Sequence, residues 1–263
     1  MQVFLQSVGI LGPGLNGWIS SRPILARVDT YRMTPTPKPV PDILPPTERR
    51  RSSTAVRLAI AVAQEALQTS GLSGDQVATI FASSDGDGDI THQICEALAA
   101  PAREVSPTSF HNSVHNAPAG YWSIATGSRL PSMSICAYDE SFTAGLLEAV
   151  AHATVEHQSV LLITSDLPFP DPLHALRPVE HSFAAAFLLT PVAGRAPLMR
   201  WHIRLDPCGT ATVGPSELPD SLLSNPAARC LPLLVVLAQR TTETVFLDYF
   251  GGTTVAVSCQ PCE

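Results

Sequence analysis

The chain has 263 residues, 45% of them hydrophobic and 15% charged, with 24 prolines and 16 glycines. That apolar content excludes a disordered tail or a charge-driven scaffold, and the length suits one large domain or two small ones. The formal charge is -7, and the basic set is almost all arginine, with Lys38 the single lysine. A weakly acidic chain whose one basic cluster is Arg49-Arg50-Arg51 is a poor binder of nucleic acid.

No run approaches the ~20 apolar residues of a membrane span, so no span is expected and a soluble, cytoplasmic protein is. The opening residues lack a basic segment, and their apolar stretch breaks at Gly9, Gly12, Pro13 and Gly14. They read as a strand and turn rather than a signal peptide. The strand runs from Val3 to Leu11. Gly12-Pro13-Gly14-Leu15-Asn16-Gly17 formally matches a dinucleotide fingerprint. The segment after it, Trp18 to Asp29, holds Pro23 and no clean helical period, so no helix N-terminus is expected to receive a pyrophosphate.

Residues 34–46 carry six prolines and read as an extended loop. A helix is predicted from Ser52 to Thr69, where Val56, Ala59, Ile60, Ala63 and Leu67 recur at three- and four-residue steps, with Gly71 as its stop. Val77 to Ser83 reads as a buried strand and Asp89 to Ala99 as a short helix with Ile94 and Leu98 inside. A further helix covers Ala119 to Ala125. Pro131 to Ile135 begins a strand, and Ser141 to Thr154 is an alanine-rich helix. Ser159 to Thr164 and Phe183 to Leu189 are apolar throughout, as in a sheet covered on both faces. After residue 190 strands are predicted near Leu198–Leu205, Pro232–Ala238, Thr244–Tyr249 and Thr253–Cys259, with little helix. Strand and helix alternate up to that point, which predicts an α/β fold with helices packed on the sheet.

Several polar groupings carry little chemistry. Asp85, Asp87 and Asp89 resemble the start of a calcium loop, but Ile90 stands where the sharp turn needs glycine. His111 and His115 sit four residues apart, as two metal ligands on one helical turn would, with no third ligand in view. Six scattered cysteines show no disulfide framework and are expected reduced; Cys259-Gln260-Pro261-Cys262 has no second pair and no helix after it. No cofactor and no metal are expected.

The most informative segment runs from Leu130 to Gly145. It is a strand, a tight turn through Tyr138-Asp139-Glu140, and a helix, which places one side chain at a helix N-terminus, where the helix dipole can activate a nucleophile. This segment resembles the nucleophile elbow of the β-ketoacyl-(acyl carrier protein) synthases, condensing enzymes of the thiolase fold. Setting Pro131-Ser132 and the helix from Ser141 to Ala149 against that pattern puts Asp139 at the position of the catalytic cysteine. Cys136 falls three residues too early. Ser106 to Gly127 resembles the family's dimer-interface segment. Arg177-Pro-Val-Glu-His-Ser-Phe and the apolar run after it resemble the return strand of the first half. Tyr249-Phe250-Gly251-Gly252 resembles the glycine-rich turn of the last hairpin.

The resemblance implies a thiolase-like fold in one domain, with a complete first half (1–190) and a strongly shortened second half (191–263). It also implies what is missing: the nucleophilic cysteine, and the two histidines that assist decarboxylation. A carboxylate at a helix N-terminus is stabilised as an anion and cannot carry the acyl thioester. A relative of this kind resembles a chain-length factor, most closely the short ketosynthase-like partner subunits of aryl polyene (xanthomonadin-type) pigment clusters. The implied partner is a full-length β-ketoacyl-ACP synthase in a heterodimer, with an acyl carrier protein as a further partner class. The residues implied at the interface and acyl tunnel are Phe110, His111, Asn112, Ser113, Val114, His115 and Asn116, together with Tyr138, Asp139 and Phe142. Two other readings stay open on the residues: a stand-alone malonyl-ACP decarboxylase or acyl-transfer enzyme using Asp139 or the His111/His115 pair, and a solitary carrier-binding scaffold.

Overall fold

The computed structural model describes residues 1–262. In chain order the first elements are β1 (Gln2–Gly12), β2 (Leu15–Asn16), α1 (Trp18–Leu25), α2 (Pro46–Arg51), α3 (Thr54–Gln68), β3 (Ala78–Ala82) and α4 (Gly88–Ala99). They are followed by α5 (Pro107–Asn112), α6 (Ala117–Thr126), β4 (Ser132–Ile135), α7 (Ser141–Val155), β5 (Val160–Asp166), α8 (Leu173–Leu176) and β6 (Phe183–Thr190). The last are β7 (Met199–Asp206), α9 (Asp220–Leu223), α10 (Leu231–Gln239), β8 (Glu243–Asp248) and β9 (Thr254–Pro261). One mixed sheet takes the order β4-β3-β5-β6-β1-β7-β9-β8, with β2 added to β1.

The apolar runs explain why the sheet is covered on both faces. In β3 and β5 alternate residues feed different cores. Phe81, Leu161 and Ile163 pack with α3 and α6 on one face. Ile80, Ala82, Val160 and Leu162 pack on the other face in the core shared by α7, α10 and the strands β7 to β9. All residues of β5 and β6 are buried, whereas the first part of β7 alternates buried and exposed. β4, β3 and β5 are parallel, joined by helical crossovers, so their C-terminal ends open on one side. In sheets of this kind that is where sites form.

Gly145 lets α7 lie close on the sheet: a Cβ there would sit 2.8 Å from Ala82 Cβ and 3.1 Å from Leu162 Cδ1. The helix start and the turn before it are thereby held directly over the ends of β3 and β5.

Four expectations need correcting. Trp18–Leu25 is a helix, with Pro23 inside it; the ring costs little because Pro23 stands in a helix too short to have a long hydrogen-bond ladder to lose. The predicted helix from Ser52 begins at Thr54 instead: Ser53 is its cap, accepting from the Val56 amide, and α2 is a separate short helix. Pro232–Ala238 is helical rather than extended. A continuous apolar run has no period to read, and Pro232 suits the first turn of a helix buried almost all round. With α9 and α10, the region after residue 190 is therefore richer in helix than predicted. Finally, Leu98 is exposed and Ile94 half-buried, so α4 leaves its apolar side largely uncovered within this chain.

Candidate functional site

The site is built at the C-terminal ends of β3, β4 and β5. After β4 the chain turns through Ala137, Tyr138, Asp139 and Glu140 into α7. Tyr138 takes φ +53°, the left-handed region that a bulky residue rarely enters. Ser141 holds that turn. Its hydroxyl accepts from the Ala137 amide at 2.9 Å and donates to the Tyr138 carbonyl at 2.7 Å, and it is itself buried. The elbow geometry expected from the sequence is therefore present.

Asp139 projects from the elbow between two arginines. Arg177 donates to Oδ1 at 2.6 Å and Arg229 to Oδ2 at 3.3 Å. Arg229 also lies 3.7 Å from both Glu140 and Asp248. The Arg177 guanidinium stacks 3.8 Å over the Tyr138 ring and 5.4 Å from the centre of Phe169. The Asp139 carboxylate is thus paired at both oxygens, and it joins the elbow, the connection from β5 to β6, and the turn ahead of α10.

Two carboxyls lie at the ends of β5 and β3, Asp166 and Asp85. Asp166 Oδ1 accepts from the Ser84 amide at 2.7 Å, the Ser84 hydroxyl at 2.8 Å and the Ser83 hydroxyl at 3.1 Å. Its Oδ2 is buried with no partner among the described residues. Burial pushes Asp166 up to about 7, against the pull of its serine donors. Burial likewise raises Asp85 to about 6, with Arg177 opposing the shift and Asp87 adding to it. Asp87 caps α4 by accepting from the Ile90 amide, which is its place in the fold rather than in a calcium loop.

The segment from Phe110 to Asn116 borders this site at the turn after β3, where His115 Nε2 lies 3.1 Å from the Ser83 carbonyl; from the elbow side, Cys136 Sγ lies 3.0 Å from the Ser84 carbonyl. Phe110 is 69% exposed and Val114 is 52% exposed. Ser113 spends its hydroxyl on the Phe110 carbonyl, and Asn116 flanks the start of α6. Two expected interface residues are turned inward. Asn112 is buried, with its side-chain amide donating to the Arg51 carbonyl at 2.8 Å. Phe142 is fully buried, with its ring 5.6 Å from Phe187. Both side chains are held in internal packing in the chain by itself. The histidine pair is also not the one the spacing suggested. α5 ends at Asn112, so His111 and His115 do not share a helical turn. His111 instead sets its ring edge-on to Tyr121 at 5.9 Å.

Arg177, Arg229, Ser141 and Asp166 were not identified as site residues from the sequence. A signal did exist for the arginines. Arg177 is the one Lys or Arg between Arg129 and Arg195, and Arg229 the one between Arg204 and Arg240. Isolated cations in apolar surroundings need an acid within reach.

Comparison with solved structures gives the fold. The chain is similar to the ketosynthase (ApeO) in complex with its chain length factor (ApeC) from Xenorhabdus doucetiae, with a TM-score of 0.74 and 22% identity over 98% of this chain and 99% of that one. It is similar to the ishigamide ketosynthase/chain length factor at a TM-score of 0.75, with 12% identity and all of both chains covered. A third match, at a TM-score of 0.74, 12% identity and 99% of both chains, is AntDE:AntF, a type II PKS acyl-carrier protein in complex with its ketosynthase. No curated protein matches the chain by sequence. The family model for the β-ketoacyl synthase N-terminal domain matches residues 26–228, a span that contains the elbow, Arg177 and the segment from Phe110 to Asn116, and that ends one residue before Arg229. By that match and by its thiolase-like ketosynthase fold, the chain belongs to the β-ketoacyl synthase family.

Proposed function

We propose that this chain is a non-catalytic chain-length-factor subunit, which pairs with an active β-ketoacyl-ACP synthase and shapes that enzyme's acyl tunnel in aryl polyene or related polyketide biosynthesis. The observation that carries the reading is the Asp139 carboxylate at the elbow, with Arg177 and Arg229 on both of its oxygens; the reading sets it where the family has its thiol. A carboxylate held at both oxygens is a poor nucleophile and cannot carry an acyl thioester. On this reading residues 191–263 are the remnant of the family's second half, and the heterodimer works in the cytoplasm, with an acyl carrier protein delivering substrate.

The exposed Phe110 and Val114 support a partner-facing role for the segment before the elbow, since a pairing surface needs apolar anchors. β4 supports it too. It is the last strand at its end of the sheet, with one backbone edge unpaired among the described residues.

Co-expression with the cognate full-length ketosynthase tests the proposal. The expected result is a one-to-one heterodimer by native mass measurement, with condensation activity that is lost when the ketosynthase cysteine is replaced and retained in Asp139→Asn. A chain that purifies alone as a stable monomer and decarboxylates malonyl-carrier overturns it in favour of a stand-alone enzyme.

A further inference from the structure

A second concave surface lies where α1 meets the end of α10. It is a groove of about 720 Å³, and its walls include Trp18, Ile19, Arg22, Pro23, Val28 and Arg240. None of its lining residues belongs to the elbow or to the arginines that hold Asp139. Sites for small ligands span roughly 300–1,000 Å³ and are mostly apolar, with a few polar groups that fix orientation. This groove has that make-up. Ile19 and Val28 stand uncovered beside it, 86% and 77% exposed.

The charges of the groove have one sign. Arg22 and Arg240 are its only ionisable side chains, and no acid lines it, in a chain whose formal charge is -7. Arg22 is exposed, and its guanidinium pairs with no acid among the described residues. Arg240 donates to the Cys262 carbonyl at 2.9 Å, a neutral acceptor that leaves its charge uncompensated. Its backbone takes φ +54° at the end of α10, where glycine is the usual residue. A side chain in that conformation costs strain, so the guanidinium stands at the groove against local preference. A smaller adjoining cavity is lined again by Trp18, Arg22 and Arg240, with Leu198 and Leu237. The two cations therefore stand where the open groove meets a further apolar recess. The start of α1 offers no anion site of its own, because the Trp18 amide donates to the Glu65 carboxylate.

We propose that this groove binds an amphiphilic anion, an apolar chain that ends in a carboxylate or phosphate. The head group sits on Arg22 and Arg240, and the chain lies along Trp18, Pro23 and Val28. A guanidinium fork matches two oxygens of either head group, and the chain gains by leaving water. Every lining residue belongs to this chain, so the site needs no ketosynthase to complete it.

Calorimetric titration of the full chain with decanoate, kept below its micelle concentration, is expected to show saturable binding. Arg22→Ala and Arg240→Ala should each weaken it by about tenfold, and the double variant should abolish it. Arg103→Ala, which alters an exposed arginine outside the groove, should leave it unchanged. Butyrate, which lacks the long chain, and decanol, which lacks the charge, should each bind about tenfold more weakly or worse. Trp18 supplies a second readout, because Trp122 and Trp201 are buried in the core. Decanoate should change the tryptophan emission of the wild type and not that of Trp18→Phe.

Decanoate that does not bind, or that binds the double arginine variant as well as the wild type, overturns the proposal. So does a binding heat with no change at Trp18, which puts the ligand elsewhere. Sedimentation with phosphatidylglycerol vesicles that the double variant loses, with no binding of free decanoate, assigns the arginines to a membrane surface and overturns it too.

Discussion

Arg177 donates to Asp139 at 2.6 Å across 38 residues of sequence, and this bond joins the elbow before α7 to the connection between β5 and β6. Its strength is limited by solvent, because the Asp139 side chain is 35% exposed and that of Arg177 19% exposed. A double-mutant cycle of Arg177→Ala and Asp139→Ala, read by urea unfolding, is expected to give a coupling of about 1 kcal/mol. Raising the salt to ~0.5 M should reduce it measurably. A coupling of zero at low salt is the contrary outcome.

Asp166 should make stability depend on pH with an unusual sign. Its carboxyl is raised to about 7 by burial. The folded chain therefore binds more protons than the unfolded one between the ordinary carboxylate range and about 7. Stability contributed by the protonated form is fully present below the unfolded value, falls as pH rises through that window, and is flat above it. Asp85, raised to about 6, adds to the same slope. Asp166→Asn should flatten the decline, narrowing the difference in Tm between pH 5 and pH 8. A variant with the wild-type slope contradicts the assignment.

Gly145 is a packing position. A leucine there drives its Cβ into Ala82 and Leu162, which sit in strands that cannot retreat. Gly145→Leu is expected to lose ~1–3 kcal/mol of unfolding free energy, or to leave the protein insoluble. A wild-type midpoint in urea would show that α7 can lift from the sheet.

Phe110 should behave in the opposite way. It is 69% exposed, so Phe110→Ala is expected to change the stability of the isolated chain by no more than ~0.5 kcal/mol. In the heterodimer the same substitution should lengthen the product if the ring caps the partner's tunnel. Unchanged product length removes Phe110 from that role.

Much of the site could be read from particular residues. The run from Pro131 into the helix at Ser141 gave the elbow, because a short strand, a tight turn and an alanine-rich helix each have local signatures. The apolar runs at Val160 and Phe183 gave the doubly covered strands for the same reason. The misread elements share a cause. Leu231–Gln239 is apolar on every side, so it carries no period to separate helix from strand, and its helical state follows from packing among α7, β8 and β9. Asn112 and Phe142 have the composition of site residues, but their burial depends on neighbours far along the chain, Arg51 and Phe187.

By itself the sequence determined the α/β class, the long strands and the longer helices α3, α4, α6 and α7 up to β6, and the presence of a carboxylate at the elbow. These are set by periodicity, turn chemistry and residue identity, all of which act within a few positions. Only the tertiary structure decided what that carboxylate does. Arg177 and Arg229 lie 38 and 90 residues away from Asp139, and nothing local to any of the three requires the others. They meet because β3, β4 and β5 end on one side of the sheet, and because the β5–β6 connection and the turn before α10 both return to that side.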